Sequence, residues 1–131
     1  MNKSVLKIFR KANRILKQQS QVNELLRKAA QKLQKLKGSN KQINELIEYV
    51  QLFLKMIKKS FIGEYNSFSN KTLLSLVFGL LYFVTPMDLV PDFIPLLGFS
   101  DDLSIIYFIV KNFKSDIEAF KIWELNQRSM S

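Results

Sequence analysis

Histidine and cysteine are both absent from the 131 residues. Without cysteine there is no disulfide framework and no thiolate ligand. Without histidine the commonest general base and the usual zinc and iron ligands are missing as well. Any metal site would be built from oxygen alone, which suits magnesium, calcium or manganese. There is no glycine-rich phosphate loop and no serine motif with a partner base, so the chain is a poor enzyme. Acid is scarce at the start: residues 1–37 carry eleven basic groups against Glu24 alone, while residues 38–131 carry nine basic groups and ten acids. The net charge of +9 therefore belongs to one segment. Aromatics divide the other way, with Phe9 the only one before Tyr49. Lys7, Arg10 and Lys11 break up the apolar residues near the start. No secretory h-region forms, and the protein is expected on the cytoplasmic side of the membrane.

What is present is helical periodicity. An apolar fraction of 47% supports a real core in a chain of single-domain size. Val5, Ile8, Ala12, Ile15, Gln19, Val22, Leu26, Ala29, Leu33 and Leu36 recur at spacings of three and four, a heptad stripe with Gln19 as its one polar member. This predicts one helix from Ser4 to Lys37, ended by Gly38. A second helix, capped by Ser39 with Gln42, has its apolar face at Ile43, Leu46, Ile47, Val50, Phe53, Leu54, Ile57 and Phe61. The two form a basic helical hairpin.

Residues 62–68 read as a loop around Gly63, with Ser69 an N-cap. Thr72–Met87 contains no charged residue, and a third helix is expected over Thr72–Val84, stopped before Pro86. A fourth helix runs from Asp101 to Asn112 behind an N-cap at Ser100, with Asp101 and Asp102 in its first turn, where the helix dipole favours negative charge. Ser115 and Glu118 have capping-box spacing for a fifth helix to Leu125. The expected organisation is all-α: a basic hairpin or arm over 1–60, a compact helical body over 61–125, and a frayed tail over 126–131.

Between the third and fourth helices lies an unusual turn. It holds all three prolines, Pro86, Pro91 and Pro95, with Asp88 and Asp92 between them, then Gly98 and the pair Asp101 and Asp102. Tyr82, the run Pro86-Met87-Asp88-Leu89-Val90-Pro91-Asp92-Phe93-Ile94-Pro95, Gly98 and Asp101-Asp102-Leu103 together resemble the YkvA-like family, a bacterial and archaeal domain of unknown function. Gly63-Glu64-Tyr65 fits as well. The motif spans residues 60–113 and departs from the family pattern at Thr85 and Met87. The resemblance implies an all-helical, membrane-associated domain with no established reaction.

Two sets of residues are candidates for function. Asp88, Asp92, Asp101 and Asp102 have the chemistry of a hard-cation site for magnesium or calcium, and of a hydrolytic centre built on one. The structural alternative is that each caps a turn or helix start. Lys7, Arg10, Arg14, Lys17, Arg27 and Lys28 are candidates for contact with an anionic membrane surface. The same cations suit nucleic-acid phosphates, although the arm offers no aromatic platform for stacking bases. Its heptads also suit a protein partner or a second copy. The uncharged run of sixteen residues spans only ~24 Å as a helix, short of the roughly 20 apolar residues that cross a bilayer. The leading expectation is a non-catalytic protein that is membrane-associated or binds a partner. If the four aspartates hold a cation, millimolar magnesium or calcium raises the melting temperature; an unchanged melting curve would remove the site.

Overall fold

The computed structural model describes residues 3–36, 41–84 and 98–130, with side chains described over 5–36, 41–84 and 103–130. Six helices are found among the described residues: α1 (Lys3–Leu16), α2 (Gln19–Lys35), α3 (Lys41–Phe61), α4 (Asn70–Val84), α5 (Gly98–Asn112) and α6 (Lys114–Met130). The protein is all-α, as its periodicity predicts. The turn of residues 85–97 and the Gly38–Ser39 connection lie outside the described residues.

Helix α4 is the centre. Its sequence after Lys71 is uncharged, and such a helix must be covered all round. No residue from Thr72 to Val84 is exposed. Helices α1, α2, α3 and α5 all pack against it. Leu76, Val77, Leu80, Leu81 and Phe83 share one core with Ile8, Ala12 and Ile15 of α1, Val22, Leu25 and Ala29 of α2, Phe53 and Ile57 of α3, and Ile106 and Ile109 of α5. The basic N-terminal segment thus lies against the body rather than extending from it.

The long first helix predicted over 4–37 is instead two helices. Lys17 N–H and Gln18 N–H close α1 with short-range bonds to Arg14 O (3.3 Å) and Ile15 O (3.0 Å). Gln18 is extended (φ −131°, ψ 114°), and its carbonyl then accepts from Gln21 and Val22 to start α2. Neither proline nor glycine makes the break. Packing makes it: a straight helix of 34 residues would reach ~50 Å, while α4 at fifteen residues is ~22 Å long. Bending at Gln18 lets both halves of the stripe bury on α4. The polar heptad member, Gln19, falls at the corner and is exposed.

The end of α3 is a Schellman motif. Gly63 takes φ +84°, Gly63 N–H donates to Ser60 O (3.2 Å) and Glu64 N–H donates to Lys59 O (3.0 Å). The same two residues pair through their side chains, Lys59 Nζ to Glu64 Oε2 at 2.7 Å. The loop that follows clamps α6. Tyr65 is buried and meets Phe120 and Trp123 edge-on, at centroid distances of 5.3 and 5.1 Å.

Ser69 caps α4 as expected, accepting from Thr72 N–H at 3.2 Å. Thr72 is itself buried and donates its hydroxyl to Asp116 Oδ2 at 2.5 Å. A carboxylate accepts only, so the Ser69 hydroxyl donates to Thr72 Oγ1, 3.1 Å away, and both hydroxyls of the junction are matched. This ties the start of α4 to the first turn of α6.

Boundaries of the last two helices also differ from the sequence reading. Helix α5 begins at Gly98, so Ser100 lies within its first turn rather than capping it. Helix α6 begins at Lys114, so Ser115 is inside rather than before it. The same helix continues to Met130 where fraying was expected from Asn126. Phe113 alone separates α5 from α6; its N–H donates to Ile109 O and its carbonyl accepts from Ile117, so almost no helical bonding is lost there.

Gly79 marks a close crossing of α4 with α3 and α5. A Cβ there would stand 2.9 Å from Ile109 Cδ1 and 3.2 Å from Phe53 Cε2. Gly79→Ala gains roughly 1 kcal/mol of helix propensity but overpacks a filled site at a cost of about 1–3 kcal/mol. The expected net is a loss of about 1 kcal/mol by urea denaturation, largely recovered in Gly79→Ala/Ile109→Val, which removes the opposing methyl. A stabilised single variant would show that the crossing has slack.

Candidate functional site

Of the four aspartates, Asp88 and Asp92 lie outside the described residues, and so do the side chains of Asp101 and Asp102, whose backbones belong to the first turn of α5. Among the described residues no three acidic side chains come together as a cation site would require. The same residues contain no helix long and apolar enough to cross a membrane.

The six candidate cations are all exposed. Lys7, Arg10 and Arg14 recur at three and four residues along α1 and form one stripe, continued by Lys17 in the turn that ends the helix, away from the face that carries Ile8, Ala12 and Ile15 into the core. Arg27 and Lys28 stand apart on α2. Arg27 lines the groove between α2 and α3, whereas Lys28 and Lys11 line a cleft of about 450 Å³ between α1, α2 and the end of α4. Arg27 also makes a forked pair with Glu24 one turn earlier. That hydrogen bond holds the Glu24 carboxyl below the usual carboxylate range and raises the guanidinium.

Beside the α1 stripe is an apolar edge. Leu6 and Phe9 remain 38% and 41% exposed, large values for residues on a helix packed into a core. Phe9 approaches Phe78 of α4 (6.2 Å between centroids), and Phe78 approaches Tyr82 (6.3 Å). One side of the α1–α4 contact therefore presents cations next to a row of apolar and aromatic side chains, an arrangement that fits the boundary between lipid headgroups and acyl chains.

Lys32 was missed by the sequence reading. Its Nζ, half-buried, donates to Phe83 O at 2.5 Å and lies 4.6 Å from the centroid of the Phe83 ring. Phe83 O is among the last carbonyls of α4, which have no partner within the helix. A cation there also opposes the negative end of the helix dipole. The signal was available: Lys32 stands at heptad-like spacing between Ala29 and Leu36, a charged residue on the apolar flank of α2. It fixes the C-terminal end of α4. Lys32→Met keeps the apolar stem but leaves this carbonyl unmatched; the expected loss is about 1–2 kcal/mol in denaturation free energy. A change below a few tenths would mean that water replaces the ammonium at no cost.

Residues 72–108 match the family described as "Protein of unknown function (DUF1232)", a span inside the 60–113 that the motif covers. The chain is also 33% identical, over 90 residues, to "Uncharacterized membrane protein YkvA" of Bacillus subtilis, covering 69% of this chain and 83% of that protein. Residues 60–131 are too few to supply 90 positions, so this similarity reaches into α3 as well. No solved structure matches the chain.

Proposed function

Because the chain belongs to the YkvA-like family of DUF1232 proteins, we propose that it is a non-catalytic protein that binds peripherally to the anionic, cytoplasmic face of a membrane through α1. The observation that carries this reading is the pairing of Lys7, Arg10 and Arg14 with the exposed Leu6 and Phe9 on one helix. The relative's description as a membrane protein supports it.

The energetics favour lying on the surface. Each cation near an anionic leaflet contributes about 1 kcal/mol, and completing the burial of two half-exposed apolar side chains adds roughly 2 kcal/mol. About 5 kcal/mol in all corresponds to a weak, reversible and salt-sensitive association. Self-association through the N-terminal heptads is not needed for it, since Ile8, Ala12, Ile15, Val22, Leu25 and Ala29 are spent on the chain's own core.

Vesicle flotation tests the reading. The protein is expected to float with vesicles containing phosphatidylglycerol, to remain behind with pure phosphatidylcholine, and to be released by high salt. Lys7→Glu/Arg10→Glu is expected to abolish flotation without changing the melting temperature. Binding indifferent to lipid charge would sink the proposal.

A further inference from the structure

We propose that the groove between α2 and α3 is a docking site for an acidic amphipathic helix of a partner protein. The groove encloses about 450 Å³. Its floor is apolar, formed by Leu26 and Ala30 on one wall and Leu54, Phe61 and Ile62 on the other. Ile62 is 53% exposed at one end, a cost the chain bears in isolation and that a partner would remove. Ala30 is the small residue that admits a close helix backbone. Along α2 the groove runs from Gln19 to Ala30, ~16 Å or about three helical turns, the length over which a helix presents apolar residues at i, i+3, i+4 and i+7.

The choice of occupant rests on charge. Arg27, Lys55 and Lys58 stand among the lining residues, and no carboxylate does. Two of the three cations are held by acids from outside the groove: Arg27 by Glu24, and Lys55 by Glu124 of α6 at 3.4 Å. The Arg27–Glu24 pair is solvent-exposed, the kind that contributes little and is readily exchanged; the Lys55–Glu124 pair is long at 3.4 Å and has an exposed lysine with a half-buried glutamate. An incoming helix with glutamates or aspartates flanking its apolar stripe would meet all three cations while its leucines cover the floor. An apolar or basic helix would leave them facing the wrong group, so the rim selects as well as attracts. No residue of α1 lines the groove, so this docking does not depend on the membrane reading and both surfaces can be occupied at once.

The test uses the full chain and a fluorescent helical peptide with leucines at i, i+3, i+4 and i+7 flanked by glutamates, read by anisotropy. A second peptide carries lysines in place of the glutamates. Saturable binding of the acidic peptide is expected, with no binding of the lysine peptide. Arg27→Glu/Lys58→Glu, both exposed and therefore compatible with an unchanged melting temperature, is expected to weaken it at least tenfold. Lys7→Glu/Arg10→Glu is expected to leave peptide affinity unchanged while abolishing flotation. The proposal is overturned if the acidic peptide does not bind, if both peptides bind equally, or if Lys7→Glu/Arg10→Glu removes peptide binding, which would place it on α1. It is also overturned if Arg27→Glu/Lys58→Glu abolishes only vesicle binding or only self-association, which would assign the groove to lipid or to a second copy.

Discussion

Helix α4 has thirteen consecutive residues without a charge, Thr72–Val84, and no side of it can face water. The rest of the molecule is arranged around that requirement. Burying Leu76, Val77, Leu80, Leu81 and Phe83 is worth on the order of 10 kcal/mol, as large as the whole net stability of a domain this size. Cover comes from four helices, and each has paid attention to a different side: α1 and α2 from the basic segment, α3 from the hairpin, α5 from beyond the proline-rich turn. At Gly79 the fit is close enough that a single methyl would collide with Ile109. The bend at Gln18 follows from the same requirement, since an unbroken helix would have covered α4 only once.

What remains on the outside is divided by chemistry. The α1 stripe joins cations to apolar side chains and suits a lipid boundary. The α2–α3 groove joins cations to an apolar floor and suits a helix. The end of α4 is held by Lys32, and its beginning by Thr72 and Asp116, so the segment matching the family is anchored at its first residue by a buried hydrogen bond and just before the proline-rich turn by a half-buried cation.

Helix content and the apolar faces were legible in the sequence because both follow from local spacing. Val50, Phe53 and Ile57 were read as core and are buried. Ser69 was read as a cap and is one. The break at Gln18 was not read, because nothing local demands it; five polar residues, Lys17-Gln18-Gln19-Ser20-Gln21, marked where a bend would be cheap, and only the length of α4 says that it must occur. The exposed cations were legible as charges, but their division between α1, the groove and the cleft is set by how the helices pack. Thr72 with Asp116, 44 residues apart, and Lys32 with Phe83, 51 apart, are long-range pairs that no spacing rule reaches. The motif aspartates were the most conspicuous feature of the sequence, and they belong to the segment outside the described residues.

The order of helices along the chain has a consequence for synthesis. Helices α1, α2 and α3 precede α4, and three of its four neighbours are therefore made before it. A ribosome working from the N-terminus releases the charged, water-compatible hairpin first and the uncharged run only afterwards. The most aggregation-prone stretch of the polypeptide thus emerges beside a partly assembled receptor carried by the same chain. A circular permutation that placed α4 ahead of α1 would lose that protection.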